Sequence, residues 1–234
     1  MSIVYGFTAR WQQRKWTGYT AKMYMIYCIS ICIMVCLIII ARIYFLMFCT
    51  NKTERRKLIR DKPVKAMIVL GSGGHTAEMM RILKYLSLKN YSPRIYVYAD
   101  TDLMSIEKIK NLEKNNIDYK TIKIHRSREV HQSYYTSIYS TIHAILESIP
   151  HLWRDCPELL LCNGPGTCVP LCIIAFLFKV FYITHTTIIF VESFCRVKNL
   201  SLTGKILYYI ADYQIVQWPY LYEPNDKNNK TLYF

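Results

Sequence analysis

The stretch from Ala66 to Arg81, AMIVLGSGGHTAEMMR, limits the possible folds more than any other part of this chain. Its first five residues are apolar and β-compatible, as expected for a central parallel strand that is buried on both faces. Three glycines and a histidine follow, and apolar residues then recur at helical spacing. The pattern predicts a strand, a tight loop and a helix.

The glycine-rich loop has the composition of a phosphate-binding turn. Gly71, Gly73 and Gly74 lack a Cβ atom, so the backbone can turn sharply and let an anion approach its N–H groups. The N-terminus of the following helix would add a partial positive charge. The alternative is that the loop only connects the strand to the helix.

The spacing G-S-G-G-H-T differs from two common nucleotide-binding loops. It is neither G-x-G-x-x-G nor G-x-x-x-x-G-K-[ST], and no lysine follows the glycines. The spacing therefore argues against a P-loop nucleotide triphosphatase. It also leaves a nicotinamide-dependent oxidoreductase as a weaker alternative.

An uncharged run of 19 residues extends from Met23 to Ala41, and apolar residues continue past Arg42 to Cys49. This is long enough for a transmembrane helix and too long for the core of a signal peptide. Four basic residues precede the run, and eight follow it up to Lys65. The positive-inside rule then predicts a short lumenal arm over 1–22, a transmembrane helix over 23–49 and a basic cytosolic linker over 50–65.

Charge and cysteine usage fit a cytosolic domain beside a membrane. Residues after 49 hold 25 of the 30 Lys and Arg and all 16 Asp and Glu. A basic domain suits an anionic membrane surface or a phosphate-bearing substrate, whereas no motif indicates nucleic-acid binding. The nine cysteines form no C-x-x-C pair and no metal-ligand spacing, which indicates a reducing compartment and predicts no metal site.

Beyond Arg60, strand patterns alternate with helical patterns, which predicts a doubly wound α/β domain with a parallel, Rossmann-like sheet over 66–234. The strand candidates are 66–70, 94–99, 119–124, 158–162, 187–191 and 213–217, with a last short strand at 231–234. The helix candidates are 75–88, 103–114, 133–149, 168–181 and 202–211. The apolar candidate at 168–181 is either a buried core helix or one partly inserted in the membrane.

Four further stretches fall at the carboxyl ends of the strands, where ligands bind in such folds. Asp100-Thr101-Asp102 contains a helix cap, and His125-Arg126-Ser127-Arg128 holds two arginines that could bind phosphate or face solvent. Asn163-Gly164-Pro165-Gly166-Thr167 is a second glycine loop before a helix. Glu192 follows the fifth strand.

Six motifs together resemble one known family. They are V-L-G-S-G-G-H-T-A-E-M, Y-A-D-T-D, H-R-S-R-E-V-H-Q-S, L-L-L-C-N-G-P-G-T-C-V-P, F-V-E-S-F-C-R-V and A-D-Y-Q-I-V-Q-W-P. The chain is similar, from about Met23 to Leu232, to the membrane-anchoring subunits of the eukaryotic UDP-N-acetylglucosamine transferase that adds the second GlcNAc to dolichol diphosphate. It also resembles, more distantly, the N-terminal half of the bacterial GlcNAc transferase that makes lipid II.

The resemblance implies one half of a GT-B glycosyltransferase at the endoplasmic reticulum membrane and the contiguous nuclear envelope. This half would hold GlcNAc-diphosphate-dolichol, while a separate soluble subunit would bring the UDP-GlcNAc site. No cofactor or metal is implied, because protein groups stabilise the leaving diphosphate. The chain holds no second Rossmann-like half and is therefore expected to be inactive alone. It ends a few residues before the family's usual end, where the resemblance places contacts with the catalytic subunit.

The resemblance also assigns candidate roles at the site. The expected diphosphate-binding residues are Gly71, Ser72, Gly73, Gly74, Thr76, Arg126 and Arg128, and the second loop adds Asn163, Gly164, Gly166 and Thr167. Inverting transfer needs a general base, for which His75 and Glu192 are the candidates, with Glu192 alternatively orienting the base or the sugar. The competing hypothesis is a membrane scaffold that recruits the soluble subunit and takes no part in chemistry.

Overall fold

The computed structural model describes residues 2–49, 62–114, 118–126, 134–164, 166–222 and 230–233. Two compact units are present, Met1–Leu46 and Met47–Phe234. Helix α1 covers Ser2–Tyr44, and a π-helical turn, Phe45–Cys49, follows. The apolar segment Lys22–Phe48 is long and apolar enough to cross a membrane, and at 27 residues it measures about 40 Å.

The second unit is built on a parallel sheet of seven strands in the order β3-β2-β1-β4-β5-β6-β7. The strands are β1 (Ala66–Val69), β2 (Arg94–Ala99), β3 (Tyr119–Ile124), β4 (Leu159–Asn163), β5 (Thr187–Val191), β6 (Tyr213–Val216) and β7 (Thr231–Tyr233). All four residues of β1 are buried, as expected for the central strand. The predicted doubly wound α/β fold is confirmed.

Five helices connect the strands. They are α2 (Gly74–Tyr85), α3 (Leu103–Leu112), α4 (Tyr134–Asp155), α5 (Cys168–Val180) and α6 (Leu202–Ile210). Short 3-10 turns lie at Leu88–Asn90 and Pro219–Leu221. Because crossovers between parallel strands are right-handed and the strand order reverses after β3, α2 and α3 lie on one face of the sheet and α4, α5 and α6 on the other.

Helix α4 extends beyond its predicted end at Ile149 and continues through Pro150 to Asp155. A proline inside a helix removes a hydrogen bond and costs about 3 kcal/mol, which is why the sequence pattern favours a stop there. Packing offsets that cost, since Leu152 is buried and the Trp153 ring contacts Phe178 of α5 with 5.7 Å between centroids. The predicted start at Ser133 lies outside the described residues.

Helix α5 is largely buried in the domain, as the first of the two predicted alternatives requires. Nine of its thirteen residues are buried in the domain. Helices α4 and α6 pack on either side of it. An apolar pattern of this length cannot by itself separate burial in protein from burial in lipid.

A buried ionic cluster ties the end of α3 to the start of β2. Arg94 Nε lies 2.6 Å from Glu113 Oε1, and Arg94 Nη2 lies 2.8 Å from Oε2. The Tyr96 hydroxyl also donates to Glu113, and burial together with that bond raises the pKa of Tyr96. The cluster fixes the amino edge of the sheet, away from the carboxyl edge where ligands bind.

The face of the sheet that carries α2 is only partly covered. Beside α2 lies an apolar groove of about 610 Å³, which we call the open-face groove. Its floor is formed by side chains from four neighbouring strands, and Ile82 and Leu86 of α2 form one wall. The floor residues include Ile68, Leu161, Ile189 and Ile215.

Candidate functional site

The first glycine loop leads directly into the N-terminus of α2. Gly73 occupies the N-cap position with φ 63° and ψ −116°, a backbone conformation that favours glycine. Ala77 donates its backbone N–H to Gly73 O at 3.3 Å. The N–H groups of Gly74, His75 and Thr76 belong to the first turn, where no intrahelical acceptor is available. Binding of an anion by the amides of Gly71, Gly73 and Gly74 stays a prediction.

Side chains around this loop have different roles. Arg126, just past β3, donates from Nη2 to Ser72 Oγ at 2.6 Å, so its guanidinium lies beside the glycines. The Thr76 hydroxyl is fully buried and donates to Gly71 O, with Ser105 Oγ 2.8 Å away. The hydroxyl therefore supports the loop from within the domain. Arg128 lies outside the described residues.

The second glycine loop contacts the first. Gly164, with φ 95°, packs on His75 so closely that an added Cβ would lie 2.4 Å from the ring Cγ. Only glycine satisfies both the backbone angle and the contact. Asn163 before it is fully buried, and Thr167, also buried, caps α5 without a side-chain hydrogen bond. Gly166 accepts the backbone N–H of Val169 at 3.0 Å.

His75 is held at the junction of the two loops. Its Nδ1 lies 3.2 Å from Asn163 Oδ1, and its side chain is 34% exposed. With Gly164 against the Cβ, Cγ and Nδ1 side of the ring, Nε2 is at the opposite edge. The ring is thus fixed on its Nδ1 side, and about a third of the side chain is exposed.

Glu78 is a site residue that the sequence analysis missed. One carboxylate oxygen accepts from Asn163 Nδ2 at 3.1 Å, and the other accepts from Ser193 Oγ at 2.9 Å. The first of these oxygens is also 3.8 Å from His75 Nδ1. Its spacing of i+3 from His75 on one helix face could have identified it, because such residues are neighbours.

Glu192 lies at the same edge, just after β5, and is fully buried. Its carboxylate is buried and accepts from the backbone N–H of Ser193 at 3.1 Å and of Ser201 at 2.9 Å. The Ser201 hydroxyl donates to it as well, at 3.1 Å, and Ser201 caps α6. These contacts place Glu192 as the residue that orders the segment between β5 and α6.

The remaining polar residues at the edge form local contacts. Asp102 caps α3 as predicted, accepting from Ser105 N at 3.3 Å. Asp100 Oδ2 lies 3.5 Å from His125 Nδ1. Within the described residues, no group of three or more His, Cys, Asp or Glu side chains is arranged to hold a metal ion.

Three buried thiols lie beneath the second loop. Cys162 Sγ is 3.5 Å from Cys172 Sγ, and Cys168 Sγ lies 3.7 Å from Asn163 O. Burial raises the pKa of Cys162 well above its ordinary value, and hydrogen bonds to the other two thiols add to the effect. They are therefore small apolar packing residues that support Asn163.

Known proteins resemble this chain in sequence and in fold. Residues 66–233 match the family described as "Oligosaccharide biosynthesis protein Alg14 like". The human protein named UDP-N-acetylglucosamine transferase subunit ALG14 is 43% identical over 203 residues, covering 83% of this chain and 91% of the human one. The protein of the same name from Yarrowia lipolytica is 39% identical over 190 residues, covering 80% and 88%.

Among solved structures, MurG from Acinetobacter baumannii aligns with a TM-score of 0.53 at 13% identity. The alignment covers 73% of this chain and spans 45% of the length of MurG. The likeness shows a shared fold and confirms the fold class expected from the sequence.

Replacing Gly164 by Ala tests the contact between the two loops. We expect a loss of about 1–3 kcal/mol of stability, because the new Cβ meets the His75 ring and the backbone angle is unfavourable. Thermal melting of the full chain in detergent measures the effect. Gly74→Ala is the control, since an added Cβ there meets nothing within 4 Å. Equal melting of Gly164→Ala and wild type would refute the packing described.

Proposed function

The chain belongs to the Alg14-like family of oligosaccharide biosynthesis proteins, and we propose that it is the membrane-anchored acceptor subunit of a split UDP-N-acetylglucosamine transferase. It binds GlcNAc-diphosphate-dolichol on the cytosolic face of the endoplasmic reticulum membrane. It recruits a soluble catalytic subunit that brings UDP-GlcNAc. Together they form the β1,4 bond to the second GlcNAc of the lipid-linked oligosaccharide used in N-glycosylation.

The observation that carries this proposal is the meeting of both glycine loops at one sheet edge. The first turn of α2 presents backbone N–H groups beside the Arg126 guanidinium. Helix N-termini and arginine are the groups that proteins use for phosphate oxygens. A diphosphate seated here leaves the acceptor sugar close to His75.

His75 is the base in this proposal. The acceptor 4-hydroxyl attacks C1 of the GlcNAc of UDP-GlcNAc from the face opposite the diphosphate. The new C1–O bond forms as the bond to UDP breaks, and UDP leaves with the electron pair. The hydroxyl proton passes to Nε2 of His75, at the edge of the ring away from Gly164. Glu192 acts as a positioning residue, because its buried carboxylate holds the segment after β5.

Membrane attachment follows from two features in this proposal. The segment Lys22–Phe48 supplies a single-pass anchor. On the domain, exposed aliphatic and tryptophan side chains of α4 fall within an arc of roughly 80° at 100° per residue, and exposed Tyr139 extends that arc to roughly 100°. The aliphatic and tryptophan residues are Ile138, Ile142, Leu146, Ile149 and Trp153. Among residues 138–155, no exposed position carries a carboxylate, which favours contact with an anionic lipid surface.

The open-face groove is the docking site for the soluble subunit in this proposal. The groove exposes apolar side chains of the sheet that a complete α/β domain would cover with a helix. Ile189 and Ile215 are half-buried, and they alternate along their strands with buried residues. The buried residues face α5 and α6 on the other side of the sheet. The side that carries Ile189 and Ile215 is therefore the one that no helix covers here. An amphipathic helix of the partner fits such a surface.

The scaffold alternative is supported by the internal hydrogen bonds of the first loop, since the side chains of Ser72 and Thr76 already have protein partners. In that alternative the loop only shapes the domain, and recruitment of the soluble subunit is the whole function.

His75→Ala separates the two hypotheses. In a reconstituted complex with the soluble subunit, UDP-GlcNAc and a lipid-diphosphate acceptor, we expect transfer to fall about 100-fold or more, because the base is lost. Binding of the soluble subunit is expected to stay unchanged. His185→Ala, an exposed histidine just before β5, is the matched control. Normal transfer by His75→Ala would leave only the scaffold hypothesis.

Ile189→Asp tests the docking site. A carboxylate on the groove floor is expected to weaken binding of the soluble subunit at least about tenfold, because a central apolar contact is lost. Tyr85→Asp at the groove rim is a second variant, since its side chain is 91% exposed and the change cannot disturb the core. Ile206→Asp on α6 is the control on the other face. Unchanged binding by both groove variants would contradict this assignment.

A further inference from the structure

Glu78 connects three parts of the site through one carboxylate. Its Oε1 accepts from Ser193 Oγ at 2.9 Å, and its Oε2 accepts from Asn163 Nδ2 at 3.1 Å. The side chain is 17% exposed. With a partner on each oxygen, the carboxylate is held in one orientation.

That carboxylate fixes the orientation of the Asn163 amide. An ionised carboxylate accepts hydrogen bonds and cannot donate them, so the amide must present its NH₂ group to Glu78. A rotated amide would bring its oxygen to within about 3.1 Å of Oε2, where two acceptors repel each other. Asn163 is fully buried, so no solvent molecule can relieve the repulsion. Its Oδ1 must therefore face His75.

The orientation of Asn163 in turn fixes the proton on His75. Oδ1 of an amide only accepts, and it lies 3.2 Å from His75 Nδ1. In a neutral imidazole, Nδ1 must therefore carry the proton and Nε2 the lone pair. Gly164 packs on the Nδ1 side of the ring, so Nε2 lies at the edge of the ring away from this contact.

We infer that Glu78 is a positioning residue that acts through Asn163 to hold His75 as the Nδ1–H tautomer, with the Nε2 lone pair directed to the ligand edge. The catalytic meaning of this inference rests on the proposed role of His75 as base, whereas the tautomer itself does not. When Nε2 takes the hydroxyl proton, both ring nitrogens become donors. Glu78 Oε2, 3.8 Å from Nδ1, then lies close to the imidazolium charge.

Nitrogen-15 NMR of the full chain in detergent, labelled at histidine, tests the tautomer directly. The His75 resonances are assigned by their loss in His75→Gln. At a pH where the imidazole is neutral, we expect a protonated Nδ1 and an unprotonated Nε2. A wild-type spectrum with the proton on Nε2 would overturn the inference, and this result needs no variant to fold.

Three variants test the part played by Glu78. Glu78→Met removes the acceptor for Asn163, so the amide can rotate and the Nε2–H form is expected to become populated. Glu78→Gln can present its carbonyl oxygen to Asn163 and its NH₂ to Ser193, so the Nδ1–H tautomer is expected to persist. Glu107→Met, at an exposed glutamate of α3 outside this network, is the matched control. An unchanged tautomer in Glu78→Met would show that Glu78 does not set it.

Kinetics of the reconstituted complex separate this inference from the proposed function. Glu78→Met is expected to lower kcat about tenfold or more and to leave KM for the lipid acceptor within about twofold, because the base is misdirected while binding is retained. Glu78→Gln is expected to lower kcat by a smaller factor than Glu78→Met does. Suppose that His75→Ala retains normal transferase activity while wild type shows the Nδ1–H tautomer. The assignment of His75 as the base then fails, whereas the inferred role of Glu78 in setting the tautomer stands. If His75→Ala is inactive and Glu78→Met retains full kcat, the positioning role fails alone.

Discussion

The site depends on the topology of the parallel sheet, which brings the ends of β1 and β4 side by side. Val69 pairs with Cys162 across these strands, so the loops that follow them start at adjacent points of the same edge. Strand order reverses here, with β2 on one side of β1 and β4 on the other, and ligands bind at such switch points. His75 and Asn163 are 88 residues apart in sequence, yet this topology places them in hydrogen-bond contact.

The proposed function places an anion at this edge without a lysine in the loop. The donors are backbone N–H groups of the first turn of α2 and the guanidinium of Arg126, whose position is set by Ser72. Other polar side chains at this edge stabilise the fold. The buried hydroxyl of Thr76 supports the first glycine loop, and the buried carboxylate of Glu192 orders the segment before α6. In the proposed function, this division leaves main-chain groups for the ligand and the His75 imidazole for proton transfer.

The sequence was sufficient to predict the doubly wound α/β fold and the positions of both glycine loops, because periodicity and glycine spacing are local properties. It could not give the end of α4, since the packing of Trp153 on Phe178 that offsets Pro150 is a tertiary contact. Nor could it reveal the contact of Glu78 with Asn163, because that contact depends on the pairing of β1 with β4. The uncovered sheet face was equally hidden, since both covered and open parallel strands are apolar.

The central claim is that this edge holds a diphosphate, and it is tested most directly by binding to the chain alone. The measurement compares the affinity of the full chain in detergent for GlcNAc-diphosphate and GlcNAc-monophosphate on the same short polyprenyl chain. We expect the diphosphate to bind more tightly, and Arg126→Ala to weaken it about tenfold, as for a lost charge-assisted hydrogen bond, while Lys110→Ala has no effect. Equal affinity for the two lipids, or binding unaffected by Arg126→Ala, would contradict the account.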